Sequence, residues 1–218
     1  MQVPKIIWQT HNYEFDELPI HLKQTAQTWK NLNPGWDYRY LNHHERLESI
    51  KSYDILSQSY LIQEPVTQSD IWRYIVTYEH GGVYADMDSV CVKPLDYLLQ
   101  GVKDCDILVV PSSHNGGWGT NNANYAVKPK SEIMKNIIKA GEQYAIDAYK
   151  KAVPIYEKHT FDWFIDEVEK SNKVSYEFTS AWHTQEFKTG FTADFLIDNC
   201  GQDIKYTDFV DKYNLSYF

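Results

Sequence analysis

The sequence predicts an α/β layered fold with a mostly parallel central sheet. Three observations lead there. Short apolar segments of strand length alternate with longer segments of helical periodicity along the whole chain, as expected where helices carry one strand over to the next. Strong breakers punctuate the alternation, among them Asn33-Pro34-Gly35 and Gly81-Gly82. No repeat, low-complexity linker or composition break divides the 218 residues, so a single domain over 1–218 is expected.

Taken in order, residues 3–10 (VPKIIWQT) read as a first buried strand. Residues 20–32 read as a helix with Leu22, Ala26 and Trp29 on one stripe, ended by the Asn-Pro-Gly breaker. WDYRYLN (36–42) alternates aromatic and polar residues, the mark of a half-exposed strand. Residues 44–62 read as one helix or a helical pair. Pro65 opens the next helix, which runs to about Glu79 and is stopped by Gly81-Gly82, since glycine takes the left-handed cap conformation. GVYADMDSVCV follows as a strand, continuous or interrupted, and DILVVPS (106–112) as another buried strand. SHNGGWGTNN (113–122) reads as a polar loop, NYAVKP as a short strand and 131–151 as an amphipathic helix. A further helix starts near Thr160, and VSYEFTSAWH (174–183) reads as a late strand.

Composition narrows the function. At 43% hydrophobic and 23% charged residues the chain can build a sizeable core. Its 17 Tyr and 7 Trp suit either that core or the handling of flat and hydroxylated ligands. A formal net charge of -9 argues against a nucleic-acid partner and against a polybasic membrane surface. Cys91, Cys105 and Cys200 are too few and too scattered for a disulfide framework or a zinc site, and point to a reducing compartment. The start MQVPKIIWQTHN lacks a signal-peptide pattern, and the longest apolar runs fall far short of a transmembrane segment. A soluble, cytoplasmic protein is the expectation.

The chemistry concentrates in GGVYADMDSV (81–90), where Asp86 and Asp88 stand one residue apart in an apolar run. Residues two apart on a strand share a face, and a bend would still leave these two within a few ångströms. Paired carboxylates suit a hard divalent cation, magnesium or manganese. The helix before them is apolar nearly all round, yet it carries Asp70 and Arg73 three residues apart. Charges on a buried helix are either paired with each other or aimed at a polar ligand.

The stretch SDIWRYIVTYEHGGVYADMDSVCVKPLD closely resembles the DXD sugar-binding region of glycosyltransferases related to yeast initiating mannosyltransferases and bacterial capsular and toxin-type sugar transferases. Ser69, Asp70, Arg73, Gly81, Gly82, Tyr84, Asp86 and Asp88 match the family pattern, over about residues 65–98. The resemblance implies a GT-A fold and transfer of a sugar from a nucleotide-diphosphate donor, UDP- or GDP-linked, with a Mn2+ or Mg2+ cofactor and retention of anomeric configuration. It implies that Asp88 binds the metal and that Asp86 touches the ribose or donor sugar beside it. Asp70 and Arg73 would meet the sugar hydroxyls, with Arg73 adding charge stabilisation and Tyr84 completing the motif.

Other candidates surround this motif. Trp8 and Thr10 end the first strand, where the family's opening loop meets the nucleotide; Trp8 either stacks on the base or fills the core. His183, in SAWHTQEF, is the candidate for a third metal ligand, or is a histidine on a surface loop. Asn121 or Asn122 and the loop before them either close over the donor or simply connect. Two other functions fit the motif less completely. ADMDSV also resembles the nucleophile strand of haloacid-dehalogenase-type phosphatases, although no later Asp-Asp pair accompanies it. A sugar-nucleotide or glycan-binding module without turnover is the non-enzymatic alternative.

Overall fold

The computed structural model describes residues 2–61, 63–91, 93–100, 105–112, 119–151, 157–171, 173–176, 182–184, 196–197 and 203–204. The elements that position the site are β1 (Ile6–Thr10), α1 (Ile20–Leu32), β2 (Asp37–Leu41), α2 (His43–Ser49), α3 (Asp54–Tyr60), α4 (Pro65–His80), β3 (Gly82–Ala85) and β4 (Ser89–Cys91). After these come α5 (Leu95–Leu99), β5 (Ile107–Ser112), β6 (Gly119–Val127), α6 (Glu132–Lys151), α7 (Glu157–Lys170), β7 (Val174–Tyr176) and β8 (Trp182–Thr184).

Six strands form the main sheet in the order β2-β1-β3-β6-β5-β7. β1 lies parallel to β2 and β3, and β5 lies parallel to β7. β6 runs against both of its neighbours. The sheet is therefore mixed, with parallel pairs in the majority. The strand period of two sorts its side chains. Trp8, Tyr84, Val109 and Tyr125 face the helical layer of α4, α6 and α7. Ile7, Val83, Ala85, Leu108 and Ala126 face the opposite way, onto Trp29 of α1 and Leu95 and Leu98 of α5. Helix α4 is buried from Asp70 through Thr77, and each of its large apolar side chains contributes about 1.5–3 kcal/mol by leaving water.

The connections fix where a ligand would bind. β1 passes through α1, on one face, to reach β2. The chain then returns through α2, α3 and α4, with α4 on the other face, and enters β3 on the far side of β1. The direction of winding thus reverses between β1 and β3. In α/β sheets the crevice outside the carboxyl ends of two such strands is the place where ligands bind.

The structure corrects several boundaries. The 44–62 segment is a helical pair. The run from Gly82 to Cys91 is two strands joined by a turn. β6 begins at Gly119, so the loop expected over 113–122 gives up its last four residues to a strand. Pairing with β5 as far back as Gly119 holds those residues extended despite the weak strand preference of Gly119, Asn121 and Asn122; residues 113–118 lie outside the described residues. The 174–183 segment is not one strand. Its start, β7, joins the main sheet beside β5, and its end, β8, pairs with β4 in a separate two-stranded sheet. Among the described residues no helix is long and apolar enough to cross a membrane.

Candidate functional site

Two glycines deliver the site. Gly81 ends α4 with φ 65°, and a Cβ there would sit 2.7 Å from Pro129. Gly82 has φ 108°, and a Cβ there would meet the Ile6 carbonyl at 2.7 Å. Only glycine fits both the backbone angles and the closeness. The tight reversal brings β3 alongside β1, with Trp8 opposite Tyr84.

Beyond β3 the chain turns sharply. The Asp86 amide donates to the Ala123 carbonyl at 2.9 Å, and Ser89 N–H returns to the Asp86 carbonyl at 3.0 Å. Met87 points inward onto Leu18, Leu22 and Ala26. Asp86 and Asp88 flank it, both half-buried. Gln9, at the end of β1, braces the turn by donating to the Asp86 carbonyl at 2.9 Å.

Tyr84 and Asp86, two residues apart, point toward α4. The Tyr84 hydroxyl donates to Asp86 Oδ1 at 2.6 Å, and Arg73 Nη2 reaches the same oxygen at 3.1 Å. The Tyr84 ring lies under the Arg73 guanidinium, 4.4 Å from Cζ to centroid. Burial, together with the Asp86 carboxylate, raises the Tyr84 pKa well above its usual value, so this hydroxyl stays a donor. Among the described residues Asp86 Oδ2 accepts no hydrogen bond, and the side chain is 29% exposed.

Deeper in, Asp70 is fully enclosed. Its Oδ1 takes Arg73 Nη2 at 2.9 Å and Asn122 Nδ2 at 3.1 Å, while its Oδ2 accepts from the Thr160 hydroxyl. Asn122 also donates to the Tyr74 hydroxyl at 2.6 Å, and Tyr74 donates to the Thr160 carbonyl at 2.9 Å. Burial works against the charge on Arg73, but Asp86 and Asp70 outweigh it and hold the guanidinium firmly protonated.

The structure assembles some of the sequence-derived candidates and separates others. Asp70, Arg73, Tyr84, Asp86 and Asn122 form one connected network, and Asp88 follows Asp86 two residues along the turn. Arg73 is only 4% exposed, and its η nitrogens also reach the Asn122 carbonyl at 2.8 Å and Ser69 Oγ at 3.3 Å. It thus holds the Asp70 and Asp86 carboxylates in position. Asp70, Tyr84 and Asn122 are likewise enclosed and support Asp86 from within. Trp8 is a core residue: its Nε1 donates to the Gly81 carbonyl at 2.9 Å and its ring meets Trp72 edge-on. The Thr10 hydroxyl is committed to the Leu41 carbonyl at 2.6 Å. For both, the strand alternation directs the side chain into protein. His183 has its backbone opposite Val90, two positions beyond Asp88; its side chain, like that of Asn121, lies outside the described residues. Thr160, Tyr74 and Gln9 were not found from sequence. Thr160 stands ninety residues from Asp70, and no local pattern links them.

The carboxylates at the turn fit a hard divalent cation. They offer only oxygen, and Asp86 keeps one oxygen clear of protein donors. Among the described residues no group of three or more His, Cys, Asp or Glu is placed to hold a metal.

Comparison with known proteins places this geometry. Residues 19–103 match the family model described as "Glycosyltransferase sugar-binding region containing DXD motif", which includes the α4–β3–turn unit. The chain is 31% identical over 102 residues to the initiation-specific alpha-1,6-mannosyltransferase of Candida albicans, covering 43% of this chain and 26% of that protein. It is 31% identical over 105 residues to the mannosyl phosphorylinositol ceramide synthase SUR1 of Saccharomyces cerevisiae, covering 44% and 25%. The chain spans about a quarter of the length of these relatives. Among solved structures, the PaToxG glycosyltransferase superposes with a TM-score of 0.50 at 16% identity, over 77% of this chain and 69% of its own. That likeness is one of fold, and the fold is the GT-A architecture expected from the sequence.

Proposed function

We propose that this chain, whose residues 19–103 match the model of the DXD-containing glycosyltransferase sugar-binding region, transfers a hexosyl group from a nucleotide-diphosphate sugar to an acceptor, in a metal-dependent reaction. One observation carries the reading. A turn bearing Asp86 and Asp88 sits at the carboxyl end of β3, at the reversal point beside β1, with one Asp86 oxygen clear of donors among the described residues.

Asp86 and Asp88 are the residues that would hold Mn2+ or Mg2+. Such an ion, when bound, supplies Lewis-acid stabilisation of the charge that grows on a departing diphosphate. The rest of the work belongs to the chain. Arg73 and Tyr84 fix the Asp86 carboxylate through Oδ1, with the side chain 29% exposed. Gln9 holds the backbone of the turn. Asp70, Asn122 and Thr160 keep Arg73 in place. Preorganisation of this kind is what electrostatic catalysis requires, since the groups do not reorient as charge develops.

Mannose is the first sugar to test, because the curated relatives above carry mannosyl activities in their names. Retention of configuration fits a site in which both Asp70 oxygens and one Asp86 oxygen are committed to protein donors. A front-face path, with the leaving phosphate taking the acceptor proton, needs no protein base or nucleophile. Trapping of a covalent glycosyl-enzyme would count against it. The phosphatase alternative requires Asp86 as a nucleophile together with a later Asp-Asp pair, which the sequence does not supply.

The test is a panel of UDP- and GDP-sugars, each with and without Mn2+, read by thermal shift and by release of nucleoside diphosphate. Metal-dependent release from one donor class, abolished in Asp88→Asn with the fold intact, is the expected result. Robust Mg2+-dependent hydrolysis of p-nitrophenyl phosphate, with no donor turnover, would replace this reading by the phosphatase one.

A further inference from the structure

A second arginine lies close to the carboxylate network, and no acid neutralises it. Arg46, on α2, is 1% exposed. Its Nη2 donates to Asn12 Oδ1, and its Cζ stands 5.9 Å from the centroid of the Tyr60 ring. Among the described residues no carboxylate oxygen comes within 4.0 Å of it, and Nε is buried with no hydrogen-bond partner. The groups that act on it electrically are Tyr60, Tyr84, Arg73 and Tyr40. None is an acid charged near neutral pH, and one is a like charge. Burying a guanidinium costs several kcal/mol in desolvation, and among the described residues only the neutral side chains of Asn12 and Tyr60 offset it, with no carboxylate.

Next to it stands His11, whose Nδ1 is also buried without a partner among the described residues. Burial, then the nearby Arg46, lowers the His11 pKa. Asn12 spends its carbonyl on Arg46, and its amide donates to nothing among the described residues. The three residues come from the loop that leaves β1 and from the helix that follows β2. They therefore lie on the carboxyl-end side of the same strands that present Asp86. Unfilled donors, no acid and a net positive field describe a place for an oxyanion.

We infer that Arg46, His11 and Asn12 form an oxyanion subsite beside the Asp86–Asp88 turn, which takes a phosphate or carboxylate group carried by the donor or by the acceptor. The inference rests on the transferase reading for the identity of the ligand, but anion binding itself does not depend on transfer or on metal.

The experiment is a thermal-shift series at constant ionic strength in EDTA, which removes any contribution from a bound cation. The probes are inorganic pyrophosphate, UDP, GDP, inositol 1-phosphate and glucuronate. With a probe at about a hundred times its Kd, the parent midpoint should rise by roughly 5–10 °C. Arg46→Met should keep or raise the ligand-free midpoint, because a matched apolar side chain replaces an unpaired buried charge, and it should lose the anion shift. Arg46→Lys, which keeps the charge without the fork, should weaken binding about tenfold or more, and Asp88→Asn should retain the full shift. Loss confined to the nucleotides would assign the subsite to the donor; loss confined to inositol phosphate or glucuronate would assign it to the acceptor. Absence of any anion shift in the parent overturns the inference, whatever the variants do. So does an undiminished shift in Arg46→Met or, should that variant fail to fold, in Arg46→Lys. Failure of donor turnover with the Arg46-dependent shift intact would overturn the transferase reading and leave the subsite standing.

Discussion

Asp70 and Asp86 share a partner, Arg73 Nη2, at 2.9 and 3.1 Å, yet their side chains are 3% and 29% exposed. The second oxygen separates them. In Asp70 it accepts from Thr160, on a helix that reaches the site from far along the chain. In Asp86, among the described residues, it accepts nothing. One carboxylate is therefore part of the scaffold, and the other is held by that scaffold with one oxygen left for a ligand. Burial and the fate of one oxygen, rather than residue type or motif membership, divide structure from chemistry here.

Substitutions can break that division, and the largest effect belongs to the inner acid. Asp70→Ala breaks a buried ion pair, takes the acceptor from the Thr160 hydroxyl and leaves Arg73 with Asp86 as its one remaining carboxylate among the described residues. It should destabilise the fold by about 3–5 kcal/mol in denaturant titration; a loss under about 1 kcal/mol would show that the inner network is not the scaffold. Asp86→Asn should do the reverse. Mn2+ affinity should fall by about a hundredfold, as when a ligand or its close support is removed, with a smaller stability loss than Asp70→Ala. Tyr84→Phe sharpens the comparison, since it removes only the hydroxyl that holds Asp86 Oδ1. Mn2+ affinity should drop by about tenfold and stability by about 1.5–3 kcal/mol, the range for a hydrogen bond to a charged group. Thr160→Val should cost about 1–3 kcal/mol for the donor lost from buried Asp70, and leave Mn2+ binding unchanged.

The smallest effect is a pH dependence. Burial, then Arg46, lowers the His11 pKa in the folded state below 6.5. The unfolded chain then binds more protons between the two values, so stability rises with pH across that window and falls as pH drops through it. His11→Asn should flatten this part of the stability curve. A slope of opposite sign in the parent would mean that folding raises the His11 pKa instead.

Much of this was legible in the sequence where the signal was local. The apolar girdle of α4 announced its burial, and the spacing of Asp70 and Arg73 announced a shared face. Gly81-Gly82 marked the reversal into β3, where two positive φ values and Cβ approaches of 2.7 Å leave room for nothing larger. What the sequence hid depends on neighbours distant in the chain. Trp8 had an open choice between ligand and core until strand alternation directed it onto Trp72. The extension of β6 back to Gly119 runs against the preferences of Gly and Asn and is imposed by pairing with β5. The spacing of Arg73 gave no sign of how many partners it gathers: Asp70, Asp86, Ser69 and Asn122 converge on it from three parts of the chain. Thr160 carried no sign of its role, because its partner lies on another helix.

The account depends most on the turn between β3 and β4 as a cation site for a diphosphate-bearing donor. Calorimetric titration of Mn2+ in the presence of UDP or GDP, into the parent and into Asp88→Asn, tests this directly. The account predicts one ion bound by the parent and affinity reduced at least about a hundredfold in the variant, both proteins unfolding at similar denaturant concentrations. Equal Mn2+ affinity in the two folded proteins would contradict it.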